Sequence, residues 1–184
     1  MSLAGRRCAI NAARRPLVFA AALGLGLMMT VASLADGGPA DTPTCPRGEV
    51  YDPGRMKCVK QQAGTLPDKA LAAYAYALSK AGRDDEALEV LDLLANPDTA
   101  EALNYRGYAT RKLGRIDEGI AYYLKSLALA PNYAQVREYL GEAYVQKGDI
   151  ASAKAQLRAI ESICGTGCEE YRDLAKAIAE SSRS

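Results

Sequence analysis

"AEALNYRGYATRKLGRIDEGIAYYLKSLALAPN", Ala100 to Asn132, is the middle one of three similar stretches. Set beside its neighbours, it brings Ala75, Gly107 and Gly141 into line at offsets of 32 and 34 residues. Gly82, Gly114 and Gly148 keep the same offsets, as do Ala87, Gly119 and Ala153, and again Leu91, Tyr123 and Leu157. Apolar residues recur three and four apart, as at Leu71, Tyr74, Ala75 and Leu78, which is the period of a helix with one buried face. Columns that repeat together in this way predict an array of helix pairs, the first pair two residues short.

Each column has a physical reason. The small residue at 75, 107 and 141 lets the second helix of a pair approach the first closely, and Ala87, Gly119 and Ala153 are the matching small spots on the second helix. Gly82, Gly114 and Gly148 are placed to end the first helix in the left-handed conformation that glycine adopts without strain. Pro97 and Pro131 stop the second helix before the next pair begins.

With its small-residue, glycine, "DE", aromatic and proline marks in order, Ala100–Asn132 resembles a tetratricopeptide repeat. "AQVREYLGEAYVQKGDIASAKAQLRAI" is a second match and "DKALAAYAYALSKAGRDDEALEVLDLLANP" a looser third. The resemblance implies an all-α, right-handed superhelical solenoid of about three repeats, at 68–99, 100–133 and 134–164, with 165–184 as a capping helix and tail. Arg106 stands where the family prefers an apolar residue and Gly119 where it prefers alanine, which suggests local looseness in the central repeat. In this family the first helices line a concave groove that grips a peptide or a partner's helix. Carried onto this chain, the groove-facing residues are Lys69, Ala72 and Tyr76, then Glu101, Asn104, Tyr108 and Arg111, then Gln135, Glu138 and Glu142. Some relatives clamp a C-terminal carboxylate with lysines, asparagines and an arginine. Here those places hold Ala72, Tyr76, Tyr105, Gln135 and Tyr139, so that clamp is absent.

Upstream of the array, Arg6, Arg7, Arg14 and Arg15 precede the uncharged apolar run "PLVFAAALGLGLMM", and "SLA" at 33–35 offers a small-x-small cleavage site. Residues 1–35 therefore read as a bacterial secretory signal peptide, too short in its apolar run for a comfortable membrane span. General export ranks ahead of the twin-arginine route because "ARRPLV" lacks most of the surrounding motif. The expected location is periplasmic or secreted, with no stable membrane insertion after cleavage. Those 35 residues hold four of the chain's 23 basic side chains and none of its 22 acids, so 19 basic residues remain against 22 acidic ones. An excess of acid argues against a nucleic-acid surface, which leans on clustered cations.

Four of the five cysteines lie past residue 35, and in an exported protein they read as two disulfides. Residues 36–44 are a Pro/Gly-rich linker expected to be disordered. "CPRGEVYDPGRMKC", 45–58, has "DPG" as its turn and is expected to be a hairpin closed by Cys45 and Cys58, with 59–67 as a second linker. "ICGTGCEEY", 163–171, allows three readings of Cys164 and Cys168. A thiol at a helix start favours redox activity, but redox pairs usually sit two residues apart next to a strand. A metal site wants more ligands, and the chain has no histidine. A disulfide joining the array to its cap across a flexible turn is the reading adopted.

The expected function is a non-enzymatic scaffold of the cell envelope that binds a protein or peptide partner, with no cofactor and no metal. A self-assembling module, pairing through Val50 and Tyr51 of the hairpin or through the start of the array, is the alternative. A thiol–disulfide oxidoreductase using Cys164 and Cys168 is a third reading.

Overall fold

The computed structural model describes residues 42–183. The expected signal peptide and most of the expected disordered linker lie outside the described residues. Two strands come first, β1 (Glu49–Asp52) and β2 (Lys57–Lys60), followed by α1 (Asp68–Lys80), α2 (Asp84–Leu91), α3 (Ala100–Lys112), α4 (Ile116–Leu129), α5 (Ala134–Gln146), α6 (Ile150–Cys164) and α7 (Glu169–Ser181). No helix among the described residues is long and apolar enough to cross a membrane.

α1 packs on α2, α3 on α4 and α5 on α6, and each pair leans on the next through α2–α3, α4–α5 and contacts between first helices. The three first helices end alike. Gly82, Gly114 and Gly148 have φ of 76°, 83° and 76°, and the residue after each returns a backbone N–H to a carbonyl one turn back: Arg83 to Leu78, Arg115 to Thr110 and Asp149 to Tyr144. Those bonds satisfy carbonyls that a helix end otherwise leaves open.

The second helices are less uniform. α4 stops at Leu129, just before Pro131, but α2 has only eight residues and ends at Leu91, well short of Pro97. There the Asp68 carboxylate accepts from the backbone N–H groups of Ala95 and Asn96, at 2.9 and 2.8 Å, tying the early exit of α2 to the start of α1. Leu94, buried in the same turn, adds an apolar anchor.

The central pair is not loose. A Cβ on Gly119 would stand 3.0 Å from the Gly107 carbonyl oxygen and from Arg111 Cβ, and one on Gly107 would stand 2.7 Å from the Tyr123 ring. Glycine at 119 is therefore a condition of the close approach of α3 and α4. Arg106 keeps its aliphatic stem largely covered while its head reaches Asp92 at 2.8 Å and lies over the Tyr122 ring. Gly141 departs from its column, because its open side faces Leu174 of α7 and not the partner helix α6.

The hairpin is antiparallel, with Val50 opposite Val59 and Tyr51 opposite Cys58. Its second strand continues to Lys60, two residues past the end expected from the cysteines. Asp52 closes the turn by accepting from the backbone N–H groups of Gly54 and Arg55. Cys45 reaches Cys58 from the lead-in before β1, their Cα atoms 5.7 Å apart. The unit sits against the first helix pair. Val50 is fully buried, Cys45 N–H donates to the Tyr74 hydroxyl at 2.8 Å, and Arg83 donates to the Cys45 carbonyl at 2.7 Å. Arg47 adds ion pairs to Asp85 and Glu89 on α2. Val50, offered above as a pairing surface for a second copy, is thus spent within its own chain, and Tyr51 packs beside it. At the other end, α7 lays Leu174 and Ile178 onto Ala153 and Ile160 as a second, smaller core. Burying a leucine such as Leu174 stabilises by about 2 kcal/mol.

Candidate functional site

Tyrosines dominate the inner face of the first helices. Tyr105 and Tyr108, three apart, share one face of α3, and Tyr105 has its counterpart 34 residues on at Tyr139 of α5. Tyr76 of α1 stacks on Tyr105 with ring centres 4.7 Å apart and meets Tyr108 edge-on at 5.7 Å. Tyr108 in turn packs at 4.8 Å on Tyr139. The hydroxyls of Tyr76 and Tyr139 share a hydrogen bond of 2.7 Å, which joins the first repeat to the third. All four rings are buried, and burial raises the hydroxyls of Tyr105, Tyr108 and Tyr139 above the ordinary phenol range.

Above this ladder lies a cavity of about 230 Å³. Tyr76, Tyr108 and Tyr139 line it; Gln135, Glu138 and Glu142 of α5 form one side, and Glu169, Glu170 and Asp173 of α7 close another. Lys80 of α1 completes the lining and holds its ammonium 5.9 Å from the Tyr76 ring centre. Glu142 accepts from Arg111 at 2.8 Å, and the Arg111 guanidinium, itself buried, lies over the Tyr108 ring. Glu138 is different. It is 8% exposed and has no hydrogen bond or ion pair among the described residues. Burial, then the charges of Glu142, Asp173, Glu170 and Glu169, push its carboxyl up to about 8.

Of the residues expected in the groove, Tyr76, Tyr108, Glu138 and Glu142, with Gln135, come together at this cavity, and Arg111 joins through Glu142. Asn104 is fully buried and donates its amide to Gln135 at 3.0 Å, so it supports the wall from behind. Glu101 lies off the cavity, accepting from the Tyr105 hydroxyl at 3.5 Å. Ala72 is buried in the core, while Lys69 is exposed at the start of α1.

Sequence reasoning missed the ladder as a unit and took residues 165–184 only as a cap, without bringing its acids to the groove. Glu169, Glu170 and Asp173 instead face inward, because α7 packs on α5 as a further first helix would and so continues the concave surface. The spacing of Tyr105 and Tyr139, equal to that of the glycine columns, was the available signal.

At the base of α7, Cys164 and Cys168 meet with their Cα atoms 6.0 Å apart, linking the end of α6 to the residue that caps the start of α7. Glu170 brings a carboxylate near them, but sulfurs bonded to each other are not thiolates for a metal.

The model of the family described as "Tetratricopeptide repeat" matches residues 100–133. No curated protein matches the chain significantly. Among solved structures, the type III secretion translocator chaperone SycD of Yersinia enterocolitica is similar with a TM-score of 0.52 at 17% identity, over 62% of this chain and 87% of that one. A second crystal structure of SycD gives 0.51 at 17% identity, over 61% and 85%. MamA is similar with a TM-score of 0.50 at 18% identity, over 63% of this chain and 77% of that one. At such identities the likeness speaks for the fold alone. Residues 100–133 carry the tetratricopeptide-repeat pattern, and the three helix pairs with matching glycine ends repeat its helix-turn-helix architecture on either side.

Proposed function

We propose that the chain is a non-enzymatic interaction module of the cell envelope, which holds a peptide or helix of a partner protein in the concave surface of its repeats. The observation that carries this reading is the cavity of about 230 Å³ left open along the inner face, with three tyrosines in its lining and an unpaired Glu138 in its wall. Tyrosine offers large contact area at small entropic cost, and recessed, largely desolvated positions are where interfaces concentrate their energy. Catalysis is no part of this reading. The carboxyls at the cavity are not joined by a nucleophile and base in hydrogen-bond reach of each other, and the chain has no histidine. Export rests on the sequence of residues 1–35 and agrees with two cysteine pairs brought to bonding positions, since disulfides persist in oxidising compartments. On the same grounds Cys164 and Cys168 act as a staple of the cap.

Photocrosslinking in intact cells tests the proposal. The reactive residue goes at Gln135, which lines the cavity and is only half-buried, and at Lys125, exposed on α4. One defined protein trapped from Gln135 and not from Lys125 is the expected result. Equal labelling from both positions, or adducts only with a second copy of this chain, would overturn it.

A further inference from the structure

We infer that the cavity between α1, α3, α5 and α7 receives a lysine or arginine side chain from a basic segment of the partner, with Glu138 as its counter-ion. This deepens the groove reading above and depends on it. Five carboxyls border the cavity, Glu138 and Glu142 from α5 and Glu169, Glu170 and Asp173 from α7. Facing them are Lys80 from α1 and, through Glu142, Arg111 from α3. Arg111 is already committed to Glu142 at 2.8 Å, so the surplus negative charge falls on the α7 acids, and Glu138, which burial and those acids keep protonated, has no cation of its own. Repulsion among these acids is a cost that a protein avoids where nothing is to be bound there, and a buried carboxyl without a partner adds to it.

The remaining features suit a cation on an aliphatic stem. Tyr76, Tyr108 and Tyr139 line the cavity, and aromatic rings attract ammonium and guanidinium groups. Lys80 and Arg111 already lie over Tyr76 and Tyr108 in that manner. A volume of about 230 Å³ is below the roughly 300–1,000 Å³ of small-molecule sites, so it suits one long side chain. An incoming cation converts Glu138 from a carboxylic acid to a carboxylate, and the proton passes to solvent. Binding by the basic segment therefore strengthens as pH rises from 6 to 8.

The test uses the full chain and a fluorescein-labelled hexalysine peptide, read by fluorescence anisotropy, with a hexaglutamate peptide for comparison. Glu138→Gln should weaken hexalysine binding by about five-fold or more and abolish its dependence on pH. Asp173→Asn, at an exposed position on α7, should weaken it by about two-fold without threatening the fold. Glu161→Gln, exposed on α6 away from the cavity, should leave it unchanged. No binding of hexalysine, equal binding of hexaglutamate, or equal effects of all three substitutions would overturn the inference. If a partner is trapped from Gln135 while hexalysine fails to bind, the groove stands and only its basic ligand falls.

Discussion

A methyl group at Gly107 would stand 2.7 Å from Cε1 of Tyr123, a ring with no exposed surface, held between α3 and α4. Neither the ring nor the helix can yield freely, so Gly107→Ala should destabilise the protein by about 1–3 kcal/mol. Gly167 is the contrast. Nothing would lie within 4 Å of its added Cβ and its backbone is not left-handed, so Gly167→Ala should be neutral or gain up to about 1 kcal/mol by stiffening the unfolded chain. Urea unfolding of both variants beside the parent decides the matter, and equal losses would remove close packing as the reason for Gly107. Glu138 makes its prediction through pH. Its folded carboxyl is pushed up to about 8 from 4.5, so the folded chain holds that proton more tightly than the unfolded one. The associated stability is complete below about pH 4.5 and is lost as pH rises towards 8. Glu138→Gln removes this loss, and its stability relative to the parent should grow across that window, by on the order of 4 kcal/mol at its upper end. Urea midpoints from pH 4 to 9 measure it, and two parallel curves would mean that Glu138 is already ionised in the folded protein.

At the scale of elements, the first helices were legible because three independent signals agree on them: the period, the closing glycine and the offset between repeats. α2 was not legible to its end, since the Asp68 carboxylate that captures Ala95 and Asn96 acts across 27 and 28 residues and leaves no periodic trace. α7 was recognised as a cap, but its inward acids were not, because a single amphipathic helix does not reveal which edge of its polar face will meet a neighbour. Structure resolves that through Leu174, which fills the notch left by Gly141. Leu174→Ala should therefore cost about 2–5 kcal/mol and also open the cavity wall. Hydrogen exchange should quicken throughout α7 and along the facing side of α5, while α1 keeps its protection. Uniform loss of protection across all helices would show that the cap is not a separable unit.

Over the whole molecule, a stacked array is stabilised by each repeat and by its nearest neighbours, so its ends are free to unfold before its middle. Two features of this chain oppose such fraying. The hairpin covers the first pair through Val50, Cys45 and Arg83, and α7 covers the last. The sequence displayed both caps as segments but not the contact that links the array internally. Tyr76 and Tyr139 lie 63 residues apart, in the first and third repeats, and no local pattern predicts that their hydroxyls meet at 2.7 Å. Around that bond, Tyr105 and Tyr108 of the middle repeat pack against both rings' neighbourhood, which makes the ladder a contact shared by three repeats. Removing either hydroxyl strands the other in a buried site, so Tyr76→Phe and Tyr139→Phe should each destabilise by about 1 kcal/mol or more. The double variant strands neither, and should be less destabilised than the sum of the two by about 1 kcal/mol. Urea unfolding followed by circular dichroism supplies the cycle. Additive effects would mean that the hydroxyl pair carries no coupling, and that the first and third repeats are held together only through the ring stack between them.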